Sequence, residues 1–132
     1  MKNFIFVLFA FFASAAFGAH EHTPDVCVEG AVKVCAHLGF EQKLNSSTEG
    51  QFKAHVMAAN GAEVQNFKLD LWMEMGPGHG HGSSPVDVAP LARNMFKITN
   101  AWFVMPGEWQ VRLFFTLDGQ AYKIVIPVQI EE

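Results

Sequence analysis

The C-terminal segment, residues 107–130, alternates apolar and polar side chains around an Asp-Gly pair, and this pattern limits the fold more than any other in the chain. Side chains of a β-strand point alternately to opposite faces, so alternation predicts a strand with one buried face. Asp118 and Gly119 are typical of the two-residue turn of a hairpin, because both accept the positive φ angles that this turn requires. The sequence therefore predicts a hairpin formed by Gly107 to Leu117 and Gln120 to Ile130.

The same alternation occurs upstream in shorter segments, with turn residues between them. These segments are residues 32–38, 51–59, 67–75 and 94–103. Asn60 with Gly61 is a strong tight-turn pair. Apolar residues in this part of the chain alternate far more often than they recur at helical spacing. About seven short strands predict an all-β fold, an antiparallel Greek-key β-sandwich, with a closed barrel as the alternative.

The first part of the chain has the order of parts of a cleavable signal peptide. Lys2 is followed by an apolar run through Phe17 and by small residues. The run is about 14 residues long, too short to cross roughly 30 Å of hydrocarbon comfortably. We expect a signal peptide at 1–19, a polar N-terminal arm at 20–30 and a β-sandwich domain at 31–132. The expected location is the periplasm or another compartment outside the cytoplasm, with no stable membrane span after cleavage.

The charge of the exported chain excludes two classes of partner. Removing Lys2 leaves eight of the nine Lys and Arg residues against thirteen Asp and Glu, so the net charge is 8 − 13, about −5 with His neutral. Such a chain does not attract nucleic acid or anionic lipid. About 113 residues bury a single core, so we expect one domain.

Cys27 and Cys35 are the two cysteines of the chain. Disulfides form and persist outside the reducing cytoplasm, so a Cys27–Cys35 bridge is the default interpretation. It would tie the N-terminal arm to the first strand of the domain. The alternatives are thiolate ligands for a soft ion such as Cu(I), and free thiols.

Residues 73–81 bring together side chains that bind soft and borderline metal ions. His79 and His81 stand in a Gly-rich loop, and Met73 and Met75 lie on one face of the strand before it. Glycine adds no bulk and adopts conformations that other residues avoid, so both imidazoles can turn toward one point. Imidazole suits Cu(II), Zn(II) and Ni(II), and thioether selects Cu(I).

Met105, in a second loop, is a candidate for a further thioether ligand. Simpler interpretations of all these residues remain open. Methionines at a spacing of two on an apolar strand face are also typical of a core, and Met105 also fits an apolar residue that caps the core. His79 and His81 also fit a solvated loop without a ligand.

His20 and His22 form a candidate second metal site at the N-terminus of the exported chain. A His third from a free amino terminus binds Cu(II) through the amine, backbone nitrogens and the imidazole. That arrangement exists only if cleavage follows Ala19, which leaves the bulky Phe17 where a small residue is preferred. Two further histidines are interpreted as structural or surface residues of strands: His37 and His55.

Residue patterns typical of catalytic sites do not occur in the sequence. It has no nucleophile elbow, no phosphate-binding glycine loop leading into a helix and no His-Glu-x-x-His motif. A metal held by His and Met also lacks an evident general base. We therefore do not expect an enzyme.

Two segments resemble motifs of the YtkA-like domain family. The first is the Met-Gly-His-Gly segment within residues 71–85, carried by Met73, Met75, Gly76, His79, Gly80, Ser84 and Pro85. The second is residues 100–109, which resemble the family's "aromatic, x, Met, x-Gly-x-Trp" corner before the penultimate strand. The resemblance extends over about residues 32–130. The family is similar to FixH-like and CopC-like periplasmic β-sandwiches, which implies an immunoglobulin-like fold and a connection with copper handling.

Together these observations predict an exported metal-binding protein that delivers or buffers copper, as Cu(I) or Cu(II). An envelope protein that supplies or receives copper is the expected partner. The expected ligands, in order, are His79 and His81, Met75, Met105 and Met73. Zn or Ni binding through the histidines alone is a further hypothesis, and it should be insensitive to Met75→Leu.

An immunoglobulin-like module that binds another envelope protein without metal is the alternative from a different class. Its anchors would be exposed tryptophans among Trp72, Trp102 and Trp109, because Trp is enriched at binding hot spots. Each of the three can instead pack in the core.

Overall fold

The computed structural model describes residues 21–132; the predicted signal peptide and His20 lie outside the described residues. This part of the chain folds into ten β-strands and contains no helix, hence none able to span a membrane. The strands are β1 (Glu21–His22), β2 (Val26–Val28), β3 (Val34–Phe40), β4 (Gly50–Ala58), β5 (Gln65–Glu74), β6 (Gly80–Gly82), β7 (Asp87–Ala92), β8 (Met95–Ala101), β9 (Gly107–Leu117) and β10 (Gln120–Ile130). The all-β prediction is confirmed.

The strands form two sheets, and all their pairings are antiparallel. In the larger sheet β1 and β2 both pair with β3, and the order continues β3-β4-β8-β7. The smaller sheet has the order β10-β9-β5-β6. Immunoglobulin domains place strands A-B-E-D in one sheet and C-F-G in the other. Assigning β3, β4, β5, β7, β8, β9 and β10 to strands A to G reproduces both orders, so the sandwich is immunoglobulin-like.

The expected count of about seven strands was too low, because β1, β2 and β6 add to the seven of the immunoglobulin arrangement. Each of these three has only two or three residues. Alternation of apolar and polar residues is not visible over so short a stretch.

The predicted C-terminal hairpin is confirmed residue by residue. β9 and β10 pair from Gly107 with Ile130 to Leu117 with Gln120. Asp118 and Gly119 have φ angles of 47° and 80°, the left-handed values that this turn requires. The alternating residues of β9 face the other sheet and are buried: Trp109, Val111, Leu113, Phe115 and Leu117. Residues 21–132 bury no polar or charged residue, so removal of apolar surface from water dominates the stability of this core.

The N-terminal segment pairs with the free edge of β3. Its register shifts by one residue between β1, where His22 lies opposite Gly39, and β2, where Val26 lies opposite Ala36. Cys27 and Cys35 lie directly opposite each other and form the predicted disulfide. The bridge is compatible with a location outside the cytoplasm. The described part of the polar arm at 20–30 therefore forms two short edge strands, β1 and β2, whose registers on β3 differ by one residue.

Candidate functional site

The His/Met segment forms a short turn between β5 and β6. The Met75 amide donates to the His79 carbonyl at 2.9 Å, and the His79 amide donates to the Gly76 carbonyl at 3.0 Å. Gly76 and Gly78 have φ angles of 119° and 75°, which other residues rarely adopt. These two hydrogen bonds and the short strand β6 hold the turn in a defined backbone conformation.

Strand register sets one of the two histidines opposite a methionine. Met73 on β5 pairs with His81 on β6, and Trp72 pairs with Gly82. Directly opposite residues of an antiparallel pair point to the same face of the sheet. His81 therefore lies on the side of Met73, which faces the core, and Trp72 lies on the opposite side. His81 and His79 are exposed, as expected for groups at the open edge of the sandwich.

The buried methionine of this segment contacts the second predicted loop. Met73 is only 8 % exposed, and its methyl end packs where a side chain on Gly107 would lie, 3.1 Å from the Cβ position. Gly107 follows Met105 and Pro106 and has a φ angle of 130°. Met105 is half-buried against the core, and its carbonyl accepts a hydrogen bond from Trp109 Nε1 at 2.9 Å. The β5–β6 turn and the β8–β9 corner thus meet at one end of the sandwich.

The five predicted ligands differ in how accessible they are. Met75 is 58 % exposed, and both imidazoles are exposed, whereas Met73 belongs to the core and Met105 packs against it. Within residues 21–132 no three His, Cys, Asp or Glu side chains are grouped to hold a metal ion. A site at this end would need thioether sulfur in addition to the two imidazoles.

The position of the Trp72 side chain explains why the residue between the two histidines is a glycine, which the sequence alone does not show. The indole of Trp72 lies directly over Gly80 and leaves no room for a Cβ atom there. The Arg112 guanidinium lies 4.6 Å from the centre of the Trp72 ring, and Trp72 Nε1 donates to Glu74 Oε1 at 3.1 Å. Gly80 is thus required because the indole covers the strand between the two histidines.

Three histidines from three strands lie together on the outer face of the larger sheet; we call His22, His37 and His55 the histidine row. The ring centres of His22 and His37 are 5.2 Å apart, and those of His37 and His55 are also 5.2 Å apart. Asp25 Oδ1 lies 3.0 Å from Nδ1 of His37. Burial lowers the pKa of His55 below that of an ordinary imidazole, and the charge of His37 lowers it further.

Sequence reasoning did not connect these histidines. It interpreted His37 and His55 as structural or surface residues and assigned His22 to an N-terminal site with His20, which lies outside the described residues. His37 and His55 are opposite each other because of the register between β3 and β4. A connection of nine residues joins these strands, and a connection of that length is compatible with several registers, so the sequence does not predict which residues are opposite.

The three tryptophans have different environments. Trp109 is fully buried, and its role as an exposed anchor is therefore excluded. Trp72 is half-buried between Arg112 and Gly80. Trp102 is 40 % exposed, and Val104 beside it is 53 % exposed.

A cavity of about 590 Å³ lies away from the β5–β6 turn. It is lined mainly by residues 39–53 together with Leu91 and Lys97, and it contains none of the predicted ligands. Its lining is mostly polar side chains.

Comparisons of this chain with protein-family models, with curated proteins and with solved structures find no match. The resemblance to the YtkA-like domain family therefore stays a prediction. The strand order assigns the described part of the chain to an immunoglobulin-like fold.

Proposed function

We propose that this chain is an exported copper-binding protein that holds the ion at the end of the sandwich formed by the β5–β6 turn. The ligands are the imidazoles of His79 and His81 and the thioether of Met75, with Met105 and Met73 as further sulfur donors. The observation that carries the proposal is the pairing of His81 with Met73, next to the exposed side chains of Met75 and His79.

The ligand chemistry favours copper over other ions. Thioether sulfur selects Cu(I), and imidazole binds Cu(I), Cu(II) and Zn(II) alike. Because the imidazoles and Met75 are exposed, an ion bound there remains accessible to a partner protein. This suits delivery or buffering in the periplasm, where the Cys27–Cys35 disulfide persists and an envelope protein supplies or receives the ion.

Replacing both imidazoles is the direct test. We expect His79→Ala/His81→Ala to weaken Cu(I) binding at least tenfold, or by about 1.4 kcal/mol, in a titration of the mature protein against a competing chelator. Ser83→Ala/Ser84→Ala, in the connection that directly follows β6, is the matched control and should bind as the wild type does. Equal affinity of the wild type and the double His variant contradicts the proposal. Met75→Leu separates the ions, because it should weaken Cu(I) binding and leave Zn(II) binding unchanged.

The exposed Trp102 and Val104 favour a second candidate function, an immunoglobulin-like module that binds an envelope protein without metal. For that function we expect a partner recovered from envelope extract to survive chelation and the double His substitution, and to be lost with Trp102→Ala. Loss of the partner on chelation contradicts the module and supports the copper function.

A further inference from the structure

The outer face of the larger sheet carries a second set of metal-binding side chains, which shares no residue with the turn. His55 on β4 lies between His37 on β3 and Met95 on β8, and each pair is directly opposite in register. Opposite residues point to the same face, so the two imidazoles and the thioether are neighbours across three adjacent strands. All three side chains are half-buried, and the central position of β4 makes their backbone a rigid support.

The spacing of the rings matches that of two imidazoles sharing one ion. A metal about 2.0–2.1 Å from an imidazole nitrogen lies about 3.2 Å from the ring centre, so two tetrahedral ligands have ring centres about 5.2 Å apart. The centres of His37 and His55 are 5.2 Å apart. Their planes stand at 87°, and the ring torsion of histidine about the Cβ–Cγ bond is soft, so each ring can turn toward a shared ion.

Asp25 holds His37 in the form that a metal ligand needs. Its carboxylate accepts a hydrogen bond from Nδ1 of His37 at 3.0 Å, so a neutral His37 carries its lone pair on Nε2. Metal-binding histidines commonly donate their second N–H to a carboxylate in this way. The segment between β1 and β2 brings Asp25 to this position, and the adjacent disulfide fastens it.

We propose that His37 and His55, with Met95 beside them, form a second metal site on the outer face of the sheet, for ions that imidazole binds, such as Zn(II) and copper. The rings of His37 and His55 turn toward the ion, and Asp25 is a positioning residue. His22 lies on the other side of His37, and their ring centres are also 5.2 Å apart, so it is the third imidazole of the histidine row.

The test uses the mature His79→Ala/His81→Ala protein, so that the two imidazoles of the β5–β6 turn and β6 do not contribute. Zn(II) alone is added while long-range ¹H–¹⁵N spectra follow each imidazole. We expect the ring nitrogens of His37 and His55 to shift together and to saturate at one equivalent. His55→Gln should weaken binding at least tenfold, whereas Lys53→Gln, at the next outward position of β4, should leave it unchanged.

Two outcomes overturn the proposal: ring nitrogens of His37 and His55 that do not respond to Zn(II), or equal affinity of the parent and His55→Gln. If His55→Gln does not fold, the spectra of the parent still decide, because they need no change in the row. A different result would contradict the copper function, namely a Cu(I) affinity that does not change when His79 and His81 are replaced.

Discussion

Replacing Trp109 by alanine is expected to lower the free energy of unfolding by about 3–5 kcal/mol. Trp109 is 0 % exposed, and its ring meets that of Phe103 edge to face with centres 5.4 Å apart. The substitution leaves a cavity between the sheets and leaves the Met105 carbonyl without its partner Nε1, which donates at 2.9 Å. The free energy of unfolding of a domain of this size is about 5–15 kcal/mol, so the substitution removes a large share of it. Urea unfolding followed by circular dichroism measures the change.

Trp102→Ala is the matched control for this experiment. Trp102 is 40 % exposed, and its Nε1 donates to Asn100 Oδ1 at the surface. We expect its replacement to cost clearly less than Trp109→Ala does, since the ring is already 40 % exposed and leaves no enclosed cavity. Similar losses for the two variants would contradict the placement of Trp109 in the core.

Removing the disulfide by Cys27→Ala/Cys35→Ala is expected to lower the free energy of unfolding by about 2–3 kcal/mol. The bridge joins residues eight apart in sequence, and closing even so short a loop restricts the unfolded chain. In the folded chain the effect centres on the arm, because β1 and β2 pair with β3 and β2 packs in addition against β10. The amides of β2 should therefore exchange with solvent much faster in the variant.

The β5–β9 strand pair is the internal control for that measurement, since both strands lie in the other sheet and the arm packs against β10 instead. Its amides should lose protection only by the global change in stability. Unchanged protection of Val26 and Val28 in the variant would show that strand pairing alone holds the arm. Dithiothreitol added to the wild type should reproduce the effect of the double substitution.

Long elements were predictable because their pattern repeats. β9 and β10 have eleven residues each, enough for alternation to set one face, and Asp118 with Gly119 fixes the turn between them. β7 gave only a weak pattern, because all six of its residues are exposed and neither face selects apolar side chains. β1 and β2 gave none, since pairing with β3 and the disulfide stabilise them rather than their own composition.

The same distinction applies to the candidate sites. His79, His81 and Met75 were found because they are close in sequence, and a sequence pattern detects such neighbours. The proximity of His37 and His55 depends on a strand register that only the assembled sheet determines. Gly80 was recognised as a glycine of the motif, but the indole above it comes from a residue across the strand pair.

The pairing of the N-terminal arm with β3 also protects the molecule from association. Open strand edges recruit strands of other chains, and proteins suppress this with proline, short strands or a covering segment. Pro90 lies in the edge strand β7, Pro127 lies in the edge strand β10, and the edge strand β6 has three residues. The remaining edge, β3, is covered by the arm that the disulfide fastens. Reduction of this one bond therefore loosens the cover of an otherwise regular seven-residue strand, where a second copy of the chain can add its own strand.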